Sequence, residues 1–112
     1  MKTLTLYENN DAEVEVTVRK KNPDGTKTAY DLTNTPVEYR VKTSSSGPDS
    51  SALITYSTTN GRITVTDAAN GKLRIDFLAV DLTPGRYIHR LDILPNARRI
   101  TVGFGTLVVQ DT

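Results

Sequence analysis

Apolar and polar residues alternate along most of this chain, and helical spacing nowhere persists over about ten residues, which predicts strands throughout. The clearest run is Glu13-Val14-Glu15-Val16-Thr17-Val18-Arg19, with three valines on one face and charged or hydroxyl groups on the other, as in a half-buried antiparallel strand. It ends at Asn22-Pro23-Asp24-Gly25, where Pro23 presets the first corner of a turn and Gly25 can take the left-handed conformation that closes it. A second run, Val37-Glu38-Tyr39-Arg40-Val41-Lys42, follows Tyr30-Asp31-Leu32-Thr33 and Pro36, and turns Val37, Tyr39 and Val41 inward. Residues Thr43 to Ser51 hold serines, Gly47 and Pro48 and little to bury, so they read as a long mobile loop suited to partner contact.

Asn60-Gly61 and Asn70-Gly71 are hairpin signals, because Asn-Gly suits the positive φ values of two-residue turns. Strands are predicted around them at Ala52 to Ser57, Arg62 to Thr66 and Lys72 to Leu78, then a short helical turn at Ala79 to Leu82. Thr83-Pro84-Gly85 forms a type II turn that launches a long strand from Arg86 to Leu94, with Tyr87, Leu91 and Ile93 toward the core. A last hairpin near Pro95-Asn96-Ala97 leads into Arg99 to Val102 and then Thr106 to Val109. Gly103 and Gly105, flanking Phe104, predict a bulge or bend at an edge. With the alternating N-terminal residues Met1 to Leu6, the count is eight or nine short antiparallel strands. The expected fold is all-β, an immunoglobulin-like or Greek-key sandwich forming a single domain over residues 1–112.

Composition narrows the function classes. Fourteen basic against thirteen acidic residues give a net charge of +1, so no strong field draws the chain to nucleic acid or to an anionic membrane. No apolar run reaches the ~20 residues of a membrane helix and no signal-peptide pattern opens the sequence, which points to synthesis in a cytoplasm. There is no cysteine, hence neither disulfide nor thiolate metal site.

Catalytic equipment is not visible. His89, the single histidine, alternates with Tyr87, Leu91 and Ile93 and reads as a core or rim residue with a hydrogen-bond partner. One imidazole cannot supply the usual ligand set of a transition metal, and the aspartates, among them Asp31, Asp76 and Asp92, are scattered without the order of a calcium loop. Two nearby carboxylates would suffice for a glycosidase, but nothing predicts the deep cleft such chemistry needs. Gly103-Phe104-Gly105 lacks the helix of a phosphate-binding loop. The basic clusters Arg19-Lys20-Lys21 with Lys27, and Arg98-Arg99, sit at hairpins, where solvated charge protects edge strands from pairing. No catalytic, cofactor-binding or metal-binding residue is therefore assigned, and the chain is not expected to be an enzyme.

The segments Ala12 to Val18, Asp24-Gly25, Tyr30-Asp31-Leu32-Thr33, Val37 to Val41, Ile63 to Asp67, Gly71-Lys72-Leu73 and Pro84-Gly85-Arg86-Tyr87 resemble small β-sandwich proteins of tailed bacteriophages. They resemble in particular the N-terminal domain of phage baseplate upper proteins and its immunoglobulin-like relatives. Those relatives often have Gly-Asp-Thr where this chain has Asn9-Asn10-Asp11, and an aromatic where it has His89. The resemblance implies a virion protein, in the tail, the baseplate or as a capsid decoration, that touches other virion proteins and forms a homo-oligomer or symmetric array. The contacts expected are Lys2, Thr3 and Leu4 in the first strand, Ser45, Ser46, Gly47, Pro48 and Asp49 in the serine-rich loop, and Val109 and Gln110 in the last strand. A carbohydrate or cell-surface binding module is the rival class. It would ordinarily want exposed aromatics on one face, whereas tryptophan is absent and aromatics make up 6%.

Overall fold

The computed structural model describes residues 3–43 and 52–111. Ten strands run in chain order: β1 (Leu4–Tyr7), β2 (Ala12–Thr17), β3 (Arg19–Lys21), β4 (Lys27–Ala29), β5 (Val37–Lys42), β6 (Ile54–Ser57), β7 (Ile63–Asp67), β8 (Lys72–Phe77), β9 (Gly85–Ile93) and β10 (Ile100–Gln110). They form a five-stranded sheet in the order β1-β10-β9-β5-β6, a three-stranded sheet in the order β2-β8-β7, and a separate β3-β4 ribbon. The two larger sheets share one core, in which Val37, Tyr39, Leu91, Ile93 and Leu107 of the first meet Ile63, Leu73, Ile75 and Phe77 of the second. This is the all-β sandwich that period-two alternation predicts, because each sheet has one apolar face to cover.

Strand neighbours follow the immunoglobulin pattern, with β10-β9-β5-β6 standing as G-F-C-C′ and β2-β8-β7 as B-E-D. The crossing from β8 to β9 is held by the Tyr87 hydroxyl, which donates to the carbonyl of Thr83 at 2.5 Å. That is the tyrosine-corner arrangement of such sandwiches. At the centre of the core the Tyr39 hydroxyl lies 2.9 Å from His89 Nδ1, and Phe77 and Tyr56 pack around the Tyr39 ring. Burial pushes the Tyr39 phenol far up, so it stays protonated and can donate to the imidazole.

Several expectations are corrected. Ten strands are described rather than eight or nine, β9 and β10 are nine and eleven residues long, and β1 pairs with β10 in parallel. Asn60-Gly61 is not a hairpin, since β6 and β7 belong to different sheets. Instead Asn60 knots the crossing, its Oδ1 accepting from the amides of Ser57 and Arg62. Asn70-Gly71 does join paired strands, but through a 3-10 turn at Ala68–Asn70 and a register shift between Val65 and Asp67. Residues 79–82 are not helical. Val80 and Leu82 are both buried, and Val80 exchanges backbone hydrogen bonds with Asn9 and Asn10, so local extension wins over the helical turn. The bulge in β10 falls between Thr101 and Gly103, ahead of the Leu107 to Gln110 stretch that β1 covers, so it lies where β10 is a local edge, as the glycines predict.

Gly71 sits where three segments cross. The amide of Val18 donates to its carbonyl, that of Tyr30 donates to Val18, and Gly71 itself takes φ of 68°. A methyl group on Gly71 would lie 2.4 Å from the Val18 carbonyl oxygen and 2.7 Å from that of Tyr30. Only glycine permits that approach at that φ.

Candidate functional site

The outer face of the five-stranded sheet carries the one dense network of charged side chains found among the described residues. β5 turns Glu38, Arg40 and Lys42 outward, and β9 turns Ile88, Arg90 and Asp92 outward beside them. The register sets Glu38 opposite Asp92 and Arg40 opposite Arg90. Like charges facing across a ladder repel. The side chains resolve this by pairing along the strand and on the diagonal.

Arg40 Nη2 meets Glu38 Oε2 at 3.0 Å, and Arg90 Nε meets Asp92 Oδ2 at 2.9 Å. Arg99, from the turn before β10, bridges both acids, reaching Asp92 Oδ2 at 2.6 Å and Glu38 Oε2 at 3.3 Å. The Thr101 hydroxyl donates to Asp92 Oδ1 at 2.8 Å. Asp92 is thus 1% exposed and saturated, one oxygen holding two guanidiniums. A third guanidinium comes too late: the buried Nη1 of Arg40 makes no hydrogen bond among the described residues and stays 3.7 Å from Asp92 Oδ2.

Beyond this network lies a hollow of about 110 Å³ lined by Arg40, Lys42, Ile88, Arg90, Thr101 and Phe104. Among the described residues no carboxylate lines it. Phe104 stands opposite Arg90 in the register, on the outer face, and is 70% exposed. Arg40, Lys42 and Arg90 line the hollow, and beside it Glu38 and Asp92 pair with Arg40, Arg90 and Arg99. Both carboxylates are held in charge-assisted hydrogen bonds to arginines.

A larger cleft, about 680 Å³, opens between β1 and β2 where the two sheets part. Val14, Val16, Val18, Leu4, Leu91 and Val102 give it aliphatic walls, and His89 reaches its floor. Its exposed polar margin is limited to Glu15, Thr17 and Arg19 on one side and Thr3 on the other. Among the described residues no group of three or more histidines, cysteines or carboxylates could hold a metal ion. No described helix is long and apolar enough to cross a membrane.

The contact residues expected from sequence are scattered. Lys2 and the loop positions Ser45, Ser46, Gly47, Pro48 and Asp49 lie outside the described residues. Thr3 and Gln110 are exposed, Leu4 is half-buried against the core, and Val109 is 2% exposed. The end of the last strand cannot dock through its edge either. From Leu107 to Gln110 β10 is paired with β1, and as far as Val109 with β9 on the other side, so Val109 has neither its side chain nor its backbone available.

Sequence alone does not bring this charge network together, since in it Asp92 is one of several scattered aspartates and Arg98-Arg99 a solvated pair at a hairpin. A signal was present in Glu38-x-Arg40 and Arg90-x-Asp92, two runs that alternate charge on the outward positions of strands flanked by inward apolar residues. Comparison with models of known protein families and with curated proteins finds no match to this chain.

Proposed function

We propose that this chain is a non-enzymatic structural component of a tailed-phage virion, a tail, baseplate or capsid-surface module that works through protein–protein contacts. The observation that carries the reading is the resemblance, spread over nearly the whole chain, to the sandwich proteins of phage baseplates. Several of the resembling segments coincide with fold determinants. Asp31 Oδ1 accepts from the amide and hydroxyl of Thr33 beside the buried Leu32, and Tyr87 forms the corner that follows Pro84-Gly85. A rigid sandwich whose outer face presents arginines and an exposed aromatic has the residue types that dominate protein interfaces.

Repetition around a symmetric particle would let each such contact be modest while the assembly holds. The test is quantitative mass spectrometry and antibody-labelled electron microscopy of purified particles of the source phage. The reading requires the chain in the particle at a copy number that is a multiple of three, five or six, as the symmetries of tails and capsids demand. Its absence from purified particles would remove the proposal. Label at the tail tip or on the capsid shell separates a baseplate module from a decoration protein.

A further inference from the structure

We infer that the β3-β4 ribbon is a binding arm for the phosphate backbone of double-stranded DNA, with Arg19, Lys21 and Lys27 on one flank as its contacts. Whether the chain sits in a virion does not bear on this arm.

Positions 19–29 hold four of the chain's fourteen basic residues, Arg19, Lys20, Lys21 and Lys27, against one acid, Asp24. A net charge of +1 averages this cluster away over the whole chain, whereas a polyanion would meet it locally. The ribbon joins neither larger sheet, and all six of its strand residues are exposed. None of the four cations forms an ion pair among the described residues. The acids nearest its base have partners or basic neighbours of their own. Glu15 stands opposite Arg74 in the β2-β8 register, and Asp67 stands opposite Lys72 and accepts from Asn70 at 2.9 Å.

Register sorts the ribbon's side chains, because directly opposed residues of an antiparallel pair share a face. Arg19 opposes Ala29 and Lys21 opposes Lys27, so three cations and one methyl group make one flank. On the other flank Lys20 opposes Thr28, and the Asn22 amide donates to the hydroxyls of Thr26 at 3.1 Å and Thr28 at 3.4 Å. Two lysines set directly opposite each other repel. A bound polyanion turns that repulsion into attraction.

The arm is held at both ends. At its base the Val18 amide donates to the Gly71 carbonyl and the Tyr30 amide to that of Val18. Near its tip the Asn22 amide donates to the Thr26 carbonyl at 2.8 Å, and Asp24 Oδ1 accepts from the Thr26 amide at 3.0 Å and hydroxyl at 2.6 Å. A preformed arm gives up little freedom on binding.

Residue type and placement set the ligand class. Lysine is depleted from protein interfaces and binds phosphate as a point charge. No aromatic side chain lies on the two strands to stack an unpaired base. The tip, which a flat bilayer would meet end-on, carries the Asp24 carboxylate, while the cations line the flank. A two-stranded ribbon fits the major groove of a duplex, where such a flank has phosphates on either side.

The test is fluorescence anisotropy of the full chain with a short labelled DNA duplex of arbitrary sequence. Three phosphate contacts predict that log K falls against log salt with a slope of about −2.7, roughly 40-fold between about 50 and about 200 mM salt. Lys21→Gln/Lys27→Gln should bring the slope to about −0.9. Arg86→Gln/Arg98→Gln, which removes the same charge from exposed positions elsewhere, should leave it unchanged. No binding at about 50 mM salt, or an equal loss in both double variants, overturns the inference. Competition by polyglutamate as effective as that by unlabelled duplex at equal charge concentration also overturns it, in favour of an acidic protein. Ribbon-dependent binding to phosphatidylglycerol vesicles without binding to duplex overturns it in favour of a membrane. Neither result changes whether the chain is found in purified particles, so failure of the arm and failure of the virion reading are distinguishable.

Discussion

Replacing Asp92 with asparagine tests whether one buried carboxylate organises the outer face of the five-stranded sheet. Asp92 is almost wholly buried, its Oδ2 accepts from Arg90 and Arg99, and its Oδ1 accepts from Thr101. Asparagine keeps the shape and one acceptor, but turns an NH₂ toward guanidiniums and removes the neutralising charge. Breaking a buried ion pair from one side costs about 3–5 kcal/mol. The Arg90 and Arg99 side chains are 23% and 38% exposed and can swing into water, which places Asp92→Asn near the low end, about 3 kcal/mol. Arg99→Ala, by contrast, removes a partly solvated partner and should cost about 0.2–1 kcal/mol.

Chemical denaturation at neutral pH reads both values, with thermal melting as a check. At about 4–8 °C per kcal/mol for a domain of this size, Asp92→Asn should lower Tm by more than roughly 10 °C. Salt sharpens the comparison, because screening weakens exposed pairs and leaves a buried one largely intact. If Asp92→Asn and Arg99→Ala prove equally mild, below about 1 kcal/mol, the network is decoration on a sheet held by its core alone, and the reasoning is wrong.

Further outcomes follow from single positions. Gly71→Ala should destabilise by about 3 kcal/mol or more, from the left-handed φ and the approach to two carbonyl oxygens together, as measured by the same denaturation. A loss under about 0.5 kcal/mol would show that the crossing can relax. Tyr39→Phe removes the donor beside His89 Nδ1 inside the core and should cost about 1–3 kcal/mol, whereas Phe104→Ser should change stability by less than about 0.5 kcal/mol. Asp31 is held below its ordinary value first by the Thr33 hydroxyl and then by the Thr33 amide. Its depressed folded pKa gives a stabilisation present above the unfolded value and lost as pH falls through the folded one. An NMR titration should find the Asp31 carboxyl below its ordinary value of 3.8, and Thr33→Val should return it part of the way. An unchanged titration curve in Thr33→Val would contradict the assignment to the hydroxyl.

Much of the fold was legible because side-chain alternation is a local quantity. Glu13 to Thr17 and Val37 to Lys42 declare which residues face inward, and the structure buries Val37, Tyr39 and Val41 fully. Sheet membership was not legible, since Asn-Gly fixes a turn without saying whether the next strand stays in the sheet. After Asn60 the strand must cross, because Ile63 finds its partner in Ile75 of β8. The parallel β1-β10 pair joins the two ends of the described chain, and no local pattern encodes a pairing between Leu6 and Val109. The candidate site was hidden for the same reason. Glu38 is far from Asp92 and Arg99 in sequence and becomes their neighbour only through register.

We propose a place for this chain in a tailed-phage particle, and purified virions of a phage that encodes it test that proposal most directly. Mass spectrometry of the intact particle, with antibody-labelled electron microscopy, should find this chain at a copy number that is a multiple of three, five or six, located on the tail, the baseplate or the capsid surface. Particles that lack the chain, in lysates where it is made, would contradict the account.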